Sequence, residues 1–146
     1  MLETENGRYF IDILDTAGEE EYMRENYYRL GEGFFIVYSV TNRDSFGSVP
    51  KFIDQIKCIK NGENVPIILL GSKNDLLNKR EVKMSEGFSL AEKYGIPFFE
   101  TSSKTGYNVD YAFFHLLELV NKFKKEDSHS MEKESQNKRG DCCIIN

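Results

Sequence analysis

Short apolar runs of strand length alternate along this chain with longer segments in which apolar residues recur at helical spacing. Two of the runs, Gly33–Val40 and Val65–Gly71, are almost uninterrupted, as expected for strands that are covered on both faces. Ile96–Glu100 is a shorter third run. Because strands and helices in regular succession require right-handed crossovers, the pattern predicts a doubly wound α/β fold with a mostly parallel sheet and helices on both faces.

Three amphipathic helices are predicted between and after these runs. The first follows an N-cap at Asp44 or Ser45, and the second ends at Gly95, a typical C-terminal cap. The third has the most regular spacing. The residues predicted to face the core are Phe46, Val49, Phe52, Ile53 and Ile56 in the first helix, Phe88, Ala91 and Tyr94 in the second, and Val109, Ala112, Phe113, Leu116, Val120 and Phe123 in the third.

An antiparallel hairpin is predicted at the beginning of the chain. Asn6-Gly7 accepts the positive backbone angles of a tight turn, and the runs Leu2–Glu5 and Arg8–Leu14 flank it. The hairpin would precede the parallel part of the sheet.

Composition excludes several classes of protein. The 146 residues suit one domain, and a net charge of -5 leaves no basic surplus to neutralise a phosphate backbone, so nucleic acid is not expected as a partner. No apolar run approaches the roughly 18 residues that span a bilayer, and the start lacks the features of a secretory signal. Three cysteines fit a reducing compartment better than a disulfide framework.

Ligands of doubly wound sheets bind beyond the carboxyl ends of the strands, and polar segments follow three predicted strands here. In chain order they resemble the Asp-x-x-Gly, Asn-Lys-x-Asp and Glu-Thr-Ser-Ala-Lys motifs of the Ras family of small GTPases. Gly31–Phe34 and Tyr94–Phe98 are also similar to Ras, and the resemblance extends to Phe123. The three segments are Asp15-Thr16-Ala17-Gly18-Glu19, Gly71-Ser72-Lys73-Asn74-Asp75 and Glu100-Thr101-Ser102-Ser103-Lys104.

The resemblance implies that the second and third segments bind the base of a guanine nucleotide. The Asp75 carboxylate would accept hydrogen bonds from the ring N–H and the amino group of guanine, whereas adenine would place a lone pair against it. Ser102 would donate to Asp75, and the Ser103 N–H would meet the guanine oxygen. Lys73 and Lys104 would lay their aliphatic stems along the base and the sugar.

The same resemblance assigns Asp15, Thr16, Ala17, Gly18 and Glu19 to the phosphate side of the nucleotide. Asp15 would hold a magnesium ion through a water molecule. The Gly18 N–H would face the terminal phosphate, where the backbone must approach closely. The implied ligands are GTP or GDP with Mg²⁺, and the implied partners are exchange factors, GTPase-activating proteins and effectors.

Two residues depart from the family pattern. Ser72 stands where most Ras relatives have Asn, and its shorter hydroxyl predicts a lower affinity for the base without a loss of selectivity. Glu19 stands where the family usually has the Gln that orients the attacking water. Its carboxylate can accept a proton from water but repels a triphosphate, so its catalytic role is open. The alternative is that Glu19, Glu20 and Glu21 are simply an acidic helix start.

The motif Gly-x-x-x-x-Gly-Lys-[Ser/Thr] does not occur in the sequence. The G domain, residues 1–123, is therefore expected to lack the phosphate-binding loop of Ras, its first strand and helix, and its effector loop. Loss of several charge-assisted phosphate contacts predicts that nucleotide binding is weakened by at least about 6 kcal/mol, on the order of 10⁴-fold.

These observations leave two main hypotheses. The first is a Ras-like GTPase whose sequence lacks its front part and whose intact parent is a GTP/GDP switch. The second is a complete but non-hydrolysing interaction module that binds partners through Glu20–Arg29 or competes at the membrane. A third, an unrelated doubly wound domain, agrees poorly with three ordered motifs.

The segment 124–146 is polar, lacks periodicity and is predicted to be disordered. Its last four residues, Cys143–Asn146, fit a prenylation box, although a terminal Asn does not choose between farnesyl and geranylgeranyl groups. A single lipid gives marginal binding, and Cys142 could carry a second. Lipid anchoring at the cytoplasmic face of the plasma membrane or an internal membrane is expected; the alternative is an exposed cysteine pair in a loose tail.

Overall fold

The computed structural model describes residues 2–4, 7–16, 21–61 and 64–137. The chain divides into two compact units, Met1–Gly31 and Glu32–Asn146. The first unit contains strands β1 (Leu2–Thr4) and β2 (Gly7–Tyr9) and helix α1 (Glu21–Leu30).

Strands β1 and β2 form the predicted antiparallel hairpin, with Leu2 opposite Tyr9 and Thr4 opposite Gly7. The second strand is shorter than predicted, because it ends at Tyr9 and not at Leu14. A strand continues only as far as a neighbour supplies backbone partners, and in the described residues the pairing stops at Leu2. Gly7 of the predicted turn dipeptide is the first residue of β2, and Asn6 lies outside the described residues.

The second unit contains a parallel sheet of three strands in the order β3-β4-β5. Each strand coincides with one of the apolar runs, with β4 extending one residue past its run to Ser72, and the parallel α/β architecture is confirmed. The central strand is buried from Ile67 to Leu70, which explains why its sequence has no alternation. The strands are β3 (Phe34–Ser39), β4 (Ile67–Ser72) and β5 (Phe98–Glu100).

Helices cover both faces of this sheet. On one face Ile68 and Leu70 pack with Ala112 and Leu116 of the last helix. On the other, the Tyr38 ring meets the rings of Phe46 and Phe98. The helices are α2 (Arg43–Gly47), α3 (Val49–Ile59), α4 (Met84–Tyr94) and α5 (Val109–Asn137), and a 3-10 turn spans Leu77–Lys79.

The segment between β3 and β4 forms two helices where the spacing predicts one. The predicted cap at Asp44 or Ser45 is wrong, since the side chain of Asn42 caps α2 by accepting from the Ser45 N–H. Pro50 has no N–H to continue the α2 hydrogen-bond pattern, but it is tolerated in the first turn of α3.

Helix α4 faces the sheet with smaller residues than the spacing predicts. Gly87 and Ala91 are buried, whereas Phe88 is 59% exposed, so the prediction that Phe88 belongs to the core is wrong. A Cβ atom at Gly87 would lie 2.5 Å from the Phe98 ring, and the absence of one lets the helix approach closely. Gly95 ends α4 with the predicted left-handed cap, at φ 67°.

Helix α5 carries the apolar stripe predicted for the last helix, and Ala112 is fully buried. The helix continues to Asn137 and so passes Lys124, where the sequence predicts that the tail begins. Residues 138–146 lie outside the described residues, and their predicted disorder stays a prediction.

Candidate functional site

The loop after β4 leaves the sheet through an unusual backbone conformation. Lys73 has φ 64°, in the left-handed region that favours glycine, and the Leu76 N–H closes the turn on the Lys73 carbonyl at 3.0 Å. This turn sets Asp75 at the carboxyl edge of the parallel sheet, partly buried. A strained residue in such a loop is a common sign of a functional site.

The loop after β5 is fastened to the loop after β4 by hydrogen bonds. The Thr101 N–H donates to the Gly71 carbonyl at 2.8 Å, and the Asn74 N–H donates to the Thr101 carbonyl at 3.1 Å. The Ser102 hydroxyl, fully buried, donates to Oδ1 of Asp75 at 2.6 Å and accepts from the Thr105 N–H at 3.2 Å. The predicted contact between Ser102 and Asp75 is therefore present.

The structure brings together the residues that the sequence assigns to the base. They share one edge of the sheet because parallel strands end on the same side. Lys73, Ser103 and Lys104 are exposed, Ser72 and Asp75 are half-buried, and Ser102 is buried. The set comprises Ser72, Lys73, Asp75, Ser102, Ser103 and Lys104.

The Ser72 hydroxyl takes part in the sheet itself. It donates to the Tyr38 carbonyl on the neighbouring strand at 2.8 Å. A hydroxyl has one proton to donate, so Ser72 in this position cannot also donate to a purine nitrogen. This finding gives a second reason, besides its short reach, for the predicted low affinity.

The residues assigned to the phosphate side lie in the first unit, as far as they are described. Asp15 is exposed and Thr16 is half-buried, in the segment Phe10–Thr16, which forms neither helix nor strand. Within the described ranges no group of three His, Cys, Asp or Glu side chains could hold a metal ion. One carboxylate is nevertheless a usual protein contribution to magnesium that is also bound by phosphates. Ala17, Gly18, Glu19, Cys142 and Cys143 lie outside the described residues.

A partly buried ion pair between Arg80 and Glu100 was not predicted from the sequence. Arg80 donates to both carboxylate oxygens of Glu100, at 2.6 and 2.8 Å, and this contact raises the pKa of Arg80. A charged residue at the last position of an apolar strand was the available signal, because buried carboxylates require partners.

Tyr38 lies near this pair on the helix α4 face of the sheet. Burial first, and then the negative charge of Glu100, raise the pKa of Tyr38 to about 12. The phenol is therefore neutral at physiological pH and acts as part of the core. In the described part of the chain its hydroxyl has no hydrogen-bond partner.

No helix in the described ranges has both the length and the apolar composition that are needed to cross a bilayer.

Known proteins show the same sequence pattern. A model of the Ras family matches residues 1–122. Ras-like protein 1 of Saccharomyces cerevisiae is 49% identical over 75% of this chain, and Ras-related protein Ral-a of Drosophila melanogaster is 48% identical over 81%. Ras-like protein rasB of Dictyostelium discoideum is 43% identical over 92%.

The aligned part covers unequal shares of these relatives. The chain spans 36% of the yeast protein, 60% of the Drosophila protein and 72% of the Dictyostelium protein.

Proposed function

The chain belongs to the Ras family, and from this membership we propose that it is a small GTPase, a signalling switch that binds guanine nucleotides. The proposal extends the family assignment to this chain's own residues. Its base site would consist of the loops after β4 and β5.

One observation carries the proposal, namely the 2.6 Å hydrogen bond from Ser102 to Asp75. It fixes Oδ1 of the carboxylate, and in the described part of the chain no other donor to this carboxylate is present. Guanine offers two adjacent donors, its ring N–H and its amino group, which suit an acceptor-only group. Adenine would bring an acceptor to the same place and leave a charged group unsatisfied. Asp75 therefore favours guanine.

The experiment is a titration of the ¹⁵N-labelled protein with GMP and, separately, with AMP. We expect GMP to shift the amide signals of Lys73–Leu76 and Ser102–Thr105, and AMP to leave them unchanged at the same concentration. Asp75→Ala should abolish the response, whereas Asp44→Ala, which removes an exposed aspartate of α2, should keep it. Equal responses to GMP and AMP, or a response that survives Asp75→Ala, would contradict the proposal.

The phosphate side of the site would be formed by the segment that begins at Asp15. When bound, Mg²⁺ would neutralise phosphate charge, and Asp15 is the described residue suited to hold it through water. Because the sequence has no Gly-x-x-x-x-Gly-Lys-[Ser/Thr] loop, we expect GDP with Mg²⁺ to bind this chain weakly or not at all. Calorimetry is the measurement, and a submicromolar dissociation constant would refute this expectation.

A non-hydrolysing interaction module is the alternative function. It is favoured by Glu19, which replaces the glutamine that orients water in the family. Release of phosphate from GTP, measured in single turnover with Glu19→Gln beside the natural chain, distinguishes the two. Hydrolysis by the natural chain would support the switch and contradict the module. Its absence from both proteins would support the module only at a GTP concentration at which both are shown to bind GTP. A gain only in Glu19→Gln would identify Glu19 as the residue that blocks hydrolysis.

We further propose that the chain is attached to the cytoplasmic face of a membrane by a lipid on Cys143, with Cys142 as a second attachment point. The proposal is supported by the terminal Cys-Ile-Ile-Asn sequence. Intact-mass measurement after expression in eukaryotic cells tests it. We expect a mass increase of a prenyl group that disappears in Cys143→Ser, while Cys58→Ser, a change at an exposed helical cysteine, keeps it. An unmodified natural chain would contradict the proposal.

A further inference from the structure

Arg80 and Glu100 form an ion pair with little access to water. Their side chains are 21% and 8% exposed, and the two guanidinium–carboxylate distances are 2.6 and 2.8 Å. Removing such charges from water is costly and is offset only by good geometry. The two parallel hydrogen bonds supply that geometry. The pair therefore fixes the segment that contains Arg80 to the end of β5.

The pair fixes the segment that leads away from Asp75. Arg80 also donates to the Val82 carbonyl at 3.0 Å, and the Val82 N–H donates to the Val40 carbonyl at the end of β3 at 3.0 Å. The segment is thus held to the ends of β3 and β5 at once.

Asp75 lies between two attachments of this segment, one to the last residue of β5 and one to the residue that follows it. On its N-terminal side the Asn74 N–H donates to the Thr101 carbonyl, and on its C-terminal side Arg80 binds Glu100. Glu100 stands two residues before Ser102, whose hydroxyl donates to Asp75. The orientation of the Asp75 carboxylate therefore depends on how firmly the loop after β4 is held to Glu100 and to the loop after β5.

We propose that Arg80 and Glu100 are positioning residues for guanine recognition, which hold the Asp75 carboxylate where it accepts both donors of the base at once. The proposal rests on the function proposed above. Neither side chain contacts the base; both act through the loop that carries Asp75. Loss of the pair should therefore reduce selectivity between bases more than it reduces binding in general.

The two partners are expected to contribute unequally. Without Arg80, the nearly buried Glu100 carboxylate loses its cation, and an unpaired buried charge is strongly unfavourable. Without the Glu100 charge, the more exposed Arg80 can turn toward water. Arg80→Met should therefore reduce the selectivity between bases more than Glu100→Gln does. Arg80→Lys, which keeps the charge but not the bidentate geometry, should have an intermediate effect.

The test compares GMP with IMP, whose base lacks only the amino group that Asp75 would accept from. Each ¹⁵N-labelled protein is titrated with both nucleotides. We expect the natural chain to prefer GMP by roughly tenfold or more, since a hydrogen bond to a charged group accounts for such a factor. In Arg80→Met the preference should fall to about twofold or less. Lys124→Met, which removes the exposed pair between Lys124 and Glu32, is the control and should keep the natural ratio.

The ratio separates positioning from general destabilisation, because a smaller folded fraction weakens the binding of both nucleotides equally. If both affinities fall in Arg80→Met and their ratio is unchanged, the pair is structural only and the proposal is wrong. If Arg80→Met does not fold, the ratio of the GMP and IMP affinities is measured in Arg80→Lys and Glu100→Gln instead.

A measurement without ligand covers the case in which the natural chain does not prefer GMP over AMP and the proposed function fails. The Thr105 N–H donates to the Ser102 hydroxyl, so its hydrogen exchange reports on the loop that would hold Asp75. We expect faster exchange in Arg80→Lys and unchanged exchange in Lys124→Met. Exchange in Arg80→Lys at the natural rate would overturn the positioning role.

Discussion

The two compact units of the chain differ in how much of their apolar sequence they bury. In Glu32–Asn146, helices lie on both faces of the sheet and Ile68 is fully buried. In the described part of Met1–Gly31, Tyr28 is the one buried hydrophobic residue, whereas Phe10 is 88% exposed and Leu30 is 80% exposed. A hairpin with one helix provides no second layer to cover apolar side chains, whereas a sheet between helices does.

The difference has a counterpart in the candidate site. The loops assigned to the base are joined to each other and to buried strands by hydrogen bonds, such as the bond from Ser102 to Asp75. Asp15, assigned to the phosphate side, lies exposed in a segment without helix or strand. The comparison indicates that a preformed arrangement of side chains requires a packed sheet beneath it. Four predictions test or refine this comparison.

Truncation of one apolar side chain in each unit gives the largest contrast. Ile68→Ala should lower the free energy of unfolding by about 2 to 5 kcal/mol, because it leaves a cavity in the core. Phe10→Ala should change it by less than about 0.5 kcal/mol, as for an exposed residue. Urea unfolding followed by circular dichroism measures both. A similar loss in the two variants would show that Phe10 is buried in solution.

Adding one methyl group at Gly87 tests how closely helix α4 packs on the sheet of the second unit. Gly87→Ala should destabilise by about 1 to 3 kcal/mol, because its Cβ would lie 2.5 Å from both the Phe98 ring and the Tyr38 hydroxyl. Gly47→Ala is the matched control, since no atom lies within 4 Å of its Cβ position, and it should stabilise α2 by about 0.5 to 1 kcal/mol. The urea concentration at the midpoint of unfolding, measured for each variant, distinguishes Gly87→Ala from Gly47→Ala. Tolerance of Gly87→Ala would mean that α4 and the sheet are not tightly packed.

Backbone strain at the base loop is tested by Lys73→Gly. The left-handed conformation costs an ordinary residue about 1 to 2 kcal/mol, and glycine avoids this cost. The greater freedom of glycine in the unfolded chain reduces the gain by about 0.5 to 1 kcal/mol. We therefore expect a gain in stability of up to about 1.5 kcal/mol by thermal unfolding. The affinity for GMP should fall, because the lysine stem is lost. A stable variant with undiminished GMP binding would exclude Lys73 from the site.

The smallest expected effect is the pH dependence that Glu86 contributes. Hydrogen bonding to Arg43 is the main cause that lowers the pKa of Glu86 from 4.5 to about 2. Because the folded pKa is lowered, this contribution is present above about pH 4.5 and is lost as the pH falls toward 2. Both groups are exposed, so the effect should be modest.

Urea midpoints between pH 2 and pH 7 measure this contribution. Glu86→Gln and Arg43→Met should each flatten the same part of the pH profile. If both variants keep the natural profile, the ion pair does not form in solution.

The sequence predicted much of the fold because its signals are local. An uninterrupted apolar run predicted β4, and Gly95 predicted the end of α4, since each depends on a few neighbouring residues. Local spacing could not distinguish Gly87 from Phe88 as the residue that faces the sheet. That choice depends on how close the helix comes to Phe98. The cap at Asn42 was missed for a related reason, because several adjacent polar residues are capable of capping.

The sequence by itself determined the order of strands and helices, the three polar segments at strand ends and the resemblance to the Ras family. Only the tertiary structure decided which polar groups pair. It joined Arg80 to Glu100, twenty residues apart, and directed the Ser72 hydroxyl to the Tyr38 carbonyl. The physical reason is that periodicity encodes which side of an element is buried, whereas partners across the sheet are set by how the crossovers pack.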